Sequence, residues 1–219
     1  MLISDCMTRH PVLAPSSMTA SEAQQVMAEN GIRHLPVIDG GKRLAGLLTR
    51  TSFSLKADAL SSLNVWEISR YLGDLKVNQI MVRAKDLVTI TPDRTAERAA
   101  AIMTEKKIGC LPVVDGDNSV IGIVTEVDLL RAFQELLGLA AKGVRVTVRM
   151  PNRQGEFVRL MNVLAQRKWG VWGVGTYPER KQPDRYNALV KIGDVSEADV
   201  REALSVLSDH EIIDIRSVV

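Results

Sequence analysis

Cysteine is scarce in this chain: Cys6 and Cys110 are the two present among 219 residues. Two thiols do not make a disulfide framework, so a reduced, cytoplasmic protein is expected. Long apolar runs are missing as well. No stretch approaches the roughly 18 uninterrupted apolar residues of a membrane span. The opening segment from Met1 to Pro11 also lacks the apolar core of a signal peptide. Charge of one sign is equally absent. With 28 Lys and Arg against 26 Asp and Glu, the formal net charge is +2. Nothing in that balance asks for nucleic acid or an anionic membrane.

The usual signatures of catalysis do not occur either. There is no glycine-rich phosphate loop of the Walker or Rossmann type and no Gly-x-Ser-x-Gly nucleophile elbow. His10, His34 and His210 are scattered, without Cys or carboxylate partners at metal-ligand spacing. No metal site and no enzymatic activity are expected.

What the chain does have is an internal repeat. The segment Ile32-Arg-His-Leu-Pro-Val-Ile-Asp-Gly40 returns 76 positions later as Ile108-Gly-Cys-Leu-Pro-Val-Val-Asp-Gly116. The same offset aligns Thr19 with Thr95, Met27 with Met103, Gly46 with Gly122 and Thr49 with Thr125. Upstream, Met7 and Met81 lie 74 apart, so the second copy carries two extra residues near Lys85. Each copy has one grammar. Thr19-Ala-Ser-Glu22 is a capping box that opens a helix through Ala23, Val26 and Met27, and Thr95 precedes its counterpart through Ala99, Ile102 and Met103. Strands follow over Leu35–Ile38 and Leu111–Val114, each closed by Asp-Gly, with returning strands over Leu44–Leu48 and Val120–Val124. Short helices are expected over Ser52–Ala59 and Asp128–Leu137.

These paired Leu-Pro-Val-x-Asp and Gly-x-x-Thr segments resemble a tandem CBS-domain pair, the Bateman module. The connector from Leu63 to Leu72, with Asn64 and Glu67 at capping-box spacing, is similar to that of acetoin-utilisation regulatory proteins, which join a CBS pair to an ACT domain. The expected fold is α+β. A tandem CBS pair fills 1–138, with repeat one at about 4–60, a connector helix at 61–76 and repeat two at about 77–138. A ferredoxin-like βαββαβ ACT-like domain follows at 139–219.

The resemblance implies a cleft for an adenine nucleotide (AMP, ADP or ATP) or for S-adenosylmethionine. Such a ligand needs an apolar slot for the base, partners for the ribose hydroxyls and donors for phosphate. Thr125 and Asp128 match the Thr-x-x-Asp element that holds ribose in the family. The base slot falls on the chain entering the Leu-Pro-Val strands, at Ile108, Gly109, Cys110, Leu111 and Pro112, with Pro36 in the first copy, and on Val88, Thr89 and Ile90. The first copy departs from the pattern. Thr49 and Ser52 stand where Thr125 and Asp128 stand in the second, so its hydroxyl carries no charge for ribose, while Arg33 and His34 suit phosphate. Unequal sites are expected, the second copy gripping the nucleoside better. Blander readings stand beside these: Thr125 and Asp128 also suit a helix N-cap, Arg33 and His34 a solvated surface, and Cys110 an inert buried thiol rather than a redox switch.

After Gly138 the pattern changes to strand, helix, two strands, helix and strand. The elements read as Val144–Met150, Glu156–Lys168, Val171–Tyr177, Tyr186–Ile192, Ser196–Asp209 and Ile212–Val219. By resemblance, Asn152 and Gly155 in the first loop mark a possible amino-acid site, although Gln154 replaces the family's usual Pro and Asn152 alone reads as an N-cap. Trp169 and Trp172 read as core or dimer contacts. The resulting expectation is a non-catalytic regulatory sensor that passes occupancy to the ACT-like domain or to an unknown regulated protein, as a homodimer. The alternative is a dimeric scaffold with a vestigial cleft.

Overall fold

Thr19 opens the helix Ala20–Glu29 as its spacing predicts: its hydroxyl accepts the Glu22 amide at 3.2 Å, and the Glu22 carboxylate accepts the Thr19 amide at 2.8 Å. Thr95 accepts the Arg98 amide at 3.2 Å in the matching position. In this computed structural model residues 1–54, 75–139 and 141–218 are described. The chain divides into two units, Met1–Leu130 and Arg131–Val219. The helix expected at Leu63–Leu72, and the one over Ser52–Ala59 past residue 54, lie outside the described residues.

The first unit begins with α1 (Ile3–Cys6), β1 (Thr8–Arg9), β2 (Ala14–Pro15), α2 (Ala20–Glu29), β3 (His34–Asp39) and β4 (Arg43–Thr49), which ends in a 3-10 turn (Arg50–Phe53). It continues with α3 (Val77–Ile80), β5 (Val82–Arg83), a 3-10 turn (Ala84–Asp86), α4 (Ala96–Lys106), β6 (Cys110–Val114) and β7 (Val120–Thr125). Last comes α5 (Glu126–Leu136), which runs on into the second unit.

The two sheets exchange their opening segments. β1 pairs with β7 of the second repeat, Thr8 opposite Ile123, and β5 pairs with β4 of the first, Val82 opposite Leu47. Ile3 is accordingly buried with Leu111, Val113 and Val124, and Val77 with Leu35, Val37 and Leu48. Burying each of these Leu or Val side chains stabilises the fold by about 1.5–3 kcal/mol. Glycine makes the exchange possible. A Cβ at Gly46 would lie 2.6 Å from the Val82 carbonyl oxygen, and one at Gly122 would lie 3.1 Å from that of Thr8. The repeats join through Leu44, Val114 and Val120 in one cluster and Leu47, Cys110 and Ile123 in another. Main-chain bonds from Leu44 N to Asn118 O (3.1 Å) and from Val120 N to Lys42 O (2.8 Å) link their hairpins.

The second unit contains β8 (Gly143–Pro151), α6 (Glu156–Gln166), β9 (Val171–Pro178), β10 (Arg185–Ile192), α7 (Glu197–Leu204) and β11 (Glu211–Val218). Its sheet runs β11-β8-β10-β9, antiparallel throughout. Alternation sends Val144, Val146, Val148 and Met150 of β8 into a core with Leu160, Leu164, Val200 and Leu204 of the helices. Asn152 is not the cap of α6. That position belongs to Gly155, at φ 89°, where glycine carries no side-chain penalty. Asn152 instead donates its main-chain amide to Asp184 O at 2.7 Å.

Among the described residues no helix is long and apolar enough to cross a membrane. Nor does any group of three or more His, Cys, Asp or Glu among them stand ready to hold a metal.

Candidate functional site

Each hairpin sets the entry of its first strand beside the exit of its second. His34 pairs with Thr49 in one repeat, and Cys110 with Thr125 in the other. Beside the first pair opens a cavity of about 490 Å³ within the first unit. Its walls include His34, Leu47, Thr49 and Thr51 from the first repeat, and Leu87, Val88, Ile108, Gly109, Cys110 and Pro112 from the second. Val82, Asp86, Lys106 and Lys107 complete it. The second-repeat slot therefore faces the first-repeat hydroxyls, across the joint between the copies. The sequence groups that slot with Thr125 and Asp128 as well as with Thr49 and Ser52, whereas the lining takes Thr49 alone of these four. The difference follows from the pairing of the repeats face to face, which brings the slot of one copy to the strand exit of the other.

The remaining expected residues sit outside that lining. Thr125 and Asp128 bond each other: the Thr125 amide and hydroxyl donate to Asp128 Oδ2 at 2.8 and 2.7 Å. Asp128 is 8% exposed, and its Oδ1 accepts from no group among the described residues. Ser52 accepts the Thr49 amide at 3.1 Å, the same arrangement without the carboxylate. Leu111 and Ile90 are core, Pro36 is buried, Thr89 is half-buried and Arg33 is exposed. Lys106, Lys107, Asp86 and Leu87 are lining residues that the motif reading passed over. One signal was available for the lysines: they end a helix whose first-copy counterpart ends in Asn30 and Gly31.

Burial, with the Glu126 carboxylate nearby, pushes the Cys110 thiol up to about 12. It is protonated at neutral pH and is a poor nucleophile. Burial, followed by the charge of Arg33, holds His34 below the usual histidine range. Glu126 and His34 stand beside the main chain at Gly109, where a Cβ would meet the Glu126 carboxylate at 3.4 Å and the imidazole at 3.5 Å, both ordinary contacts. The walls combine an apolar slot (Leu47, Leu87, Val88, Ile108, Pro112), hydroxyls that hydrogen-bond across 2.7 Å (Thr49 and Thr51) and two lysines, of which Lys106 pairs with Glu105 at 3.1 Å. That set suits a flat base, a polyol and an anion.

In the second unit, the loop holding Asn152 and Gly155 is already engaged. Asn152 Nδ2 donates to Pro183 O at 3.5 Å, while Arg153 and Arg159 pair with buried Glu156 at 3.0 and 2.8 Å.

Comparison with known proteins agrees with the repeat. The CBS domain matches twice, over residues 3–54 and 77–135. Homoserine O-acetyltransferase of Methanohalobium evestigatum is 33% identical over 61% of this chain and 24% of its own length. L-aspartate semialdehyde sulfurtransferase of Methanocaldococcus jannaschii is 27% identical over 60% of this chain and 23% of its own. The chain thus spans about a quarter of these two curated relatives. Among solved structures, the Vibrio cholerae protein named for acetoin utilization (AcuB) is 30% identical, with a TM-score of 0.53 over 64% of this chain and 95% of that one. CBSX2 of Arabidopsis thaliana, solved in complex with AMP, is 28% identical, with a TM-score of 0.50 over 60% of this chain and 95% of that one. With both copies matched across just over half of its length, this chain belongs to the CBS-domain family.

Proposed function

We propose that this protein is a non-catalytic regulatory sensor that binds an adenine nucleotide or a related adenosyl ligand between its CBS repeats. The observation that carries this reading is the 490 Å³ cavity, where an apolar slot, two threonine hydroxyls and two lysines converge from different repeats. Adenine fills the slot, ribose meets Thr49 and Thr51, and phosphate meets the lysines. The AMP complex of the related CBSX2 supports the ligand class. Thr125 and Asp128 hold ribose in the pseudo-equivalent cleft through the remaining Asp128 oxygen.

The second unit, with βαββαβ order and strands arranged β11-β8-β10-β9, reads as a ferredoxin-like ACT-type domain. Occupancy of the CBS cleft is passed to that domain or to a regulated partner protein, which requires two states of differing ligand affinity. A second copy covers the exposed apolar side chains of α5, where Leu130 is 61%, Phe133 59% and Leu136 48% exposed.

Thermal denaturation with adenylates tests the central claim. Ligand at a hundred times its dissociation constant adds about 2.7 kcal/mol, which raises the melting temperature of a chain this size by about 5–10 °C. No shift with AMP, ADP, ATP or S-adenosylmethionine would leave a scaffold with a vestigial cleft as the better account. Sustained phosphate release from ATP and magnesium by the pure protein would show an enzyme instead.

A further inference from the structure

Helix α5 ends in a glycine turn on the sheet of the second unit. Gly138 stands at φ 66°. The Leu139 amide returns to Gln134 O at 2.9 Å and the Gly138 amide to Glu135 O at 2.9 Å, the pair of bonds that closes a helix around a left-handed residue. The Leu139 carbonyl is then left to accept from Lys191 Nζ at 3.3 Å. Lys191, on β10, is 2% exposed. A buried ammonium needs an acceptor, and the negative end of a helix suits one. Among the described residues, Leu139 O is the acceptor it has. Opposite Lys191 on β9 stands Gly173. A Cβ there would lie 2.4 Å from the Leu137 carbonyl carbon and 2.5 Å from its oxygen, so glycine leaves room for the helix end that lysine holds. All of these residues belong to the second unit. α5 itself opens in the first, with Asp128 in its first turn. Leu139 follows Asp128 by 11 positions, about 16 Å at the helical rise.

We infer that Lys191 is a positioning residue that couples α5 to β10, so that ligand-dependent movement of α5 reaches the sheet of the second unit. The inference rests on the adenosyl reading above and names the route by which occupancy is passed on. Lifting the helix end off the sheet would strand a buried ammonium without its acceptor, so helix end and strand move as one body. Gly173 adds to this by keeping the Leu137 main chain in direct contact with β9. Arg145, opposite Lys191 on β8, does not replace it, because Asp214 holds that guanidinium at 2.9 Å.

Hydrogen exchange of the whole chain, with and without saturating AMP, tests this, and S-adenosylmethionine is run in parallel. Ligand should slow the amides of β10 by about fivefold or more. Lys191→Met keeps an apolar stem and removes the charge. It should abolish the slowing while the affinity for ligand, read by calorimetry, stays within about twofold. Gly173→Ala drives a Cβ into the Leu137 main chain and should act in the same way. It carries the test if Lys191→Met fails to fold. A bound ligand that leaves β10 exchange unmoved in the unaltered chain, or slowing that persists in Lys191→Met or Gly173→Ala, overturns this inference and leaves adenosyl binding standing. Failure of both ligands to bind overturns both.

Discussion

At matching positions of one backbone, the first repeat carries Gly31, Arg33, His34 and Ser52, and the second carries Lys107, Gly109, Cys110 and Asp128. The elements around them superimpose in kind: a Thr-capped helix, an antiparallel hairpin, and a borrowed two-residue strand beside a glycine. The duplicated residues thus specify the scaffold, and the unlike ones specify charge. Because the second-repeat slot faces the first-repeat strand exit, His34 meets Lys107, Gly109 and Cys110 within one cavity, and neither repeat owns it.

Thiol reactivity offers the largest expected contrast. Cys110 stands where the first repeat has His34, and its thiol is pushed from 9.0 to about 12. That shift lowers the thiolate fraction about a thousandfold at a given pH below both values. Iodoacetamide at pH 8 should therefore label Cys110 at a small fraction of its rate in denatured protein, as read by peptide mass spectrometry. Rapid labelling in the folded state would restore a redox role for Cys110.

The borrowed strands supply the next test. Gly46→Ala drives a Cβ to 2.6 Å from a main-chain oxygen and 2.5 Å from Met81 Sδ. At Gly122 the corresponding oxygen stands at 3.1 Å, and the closer neighbour, at 2.6 Å, is the Sδ of Met7. Main chain yields less readily than a thioether. Gly46→Ala should cost about 3 kcal/mol and Gly122→Ala about 1, measured by urea denaturation. Equal costs would mean that the main-chain approach at Gly46 is no tighter than that at Gly122.

The cap residues follow. Asp128→Ala removes an acceptor that serves two donors at 2.8 and 2.7 Å, with an expected loss of about 1.5–3 kcal/mol. Ser52→Ala removes one neutral bond at 3.1 Å, with a loss of about 0.5–1 kcal/mol. The two variants also locate the nucleotide. An affinity loss confined to Asp128→Ala would move ribose away from Thr49 and into the pseudo-equivalent cleft.

The scaffold was legible wherever a pattern repeats. The 76-residue offset, the capping residues Thr19 and Thr95, and the alternation of β8 all lead to elements the structure contains. The exchanged strands were not legible, because Thr8–Arg9 and Val82–Arg83 are too short to show a period and pair with sequence far away. The make-up of the cavity depends on that same long-range pairing. For this reason Ile108 and Cys110 could be named from their motif while their neighbour Thr51 could not. Asn152 misled for a local reason: its composition suits a cap, but the left-handed turn at Gly155 takes the position.

The smallest effect concerns histidine and sets the two units against each other. His210, in the second unit, has a side chain 1% exposed, with Nε2 3.4 Å from the Glu156 carbonyl oxygen. Its buried Nδ1 has no partner among the described residues. Neutral imidazole fits by donating from Nε2, whereas the charged form adds a proton at Nδ1 with nothing there to accept it. Burial accordingly holds its pKa below the ordinary 6.5, outweighing the pull of Glu156. A histidine lowered in the folded state binds fewer protons than it does unfolded. Its contribution is complete above the unfolded value and is lost as pH falls through the folded one. One proton changes the stability by at most about 1.4 kcal/mol per pH unit, and only between the folded and unfolded values. With Trp66→Phe as background, Trp169 and Trp172 report on the second unit alone. Urea titrations at pH 7.5 and 5.5 should show its stability falling with acid, and His210→Gln should flatten that fall. If the slope persists in His210→Gln, the acid sensitivity belongs to other groups and the buried imidazole is only a packing element.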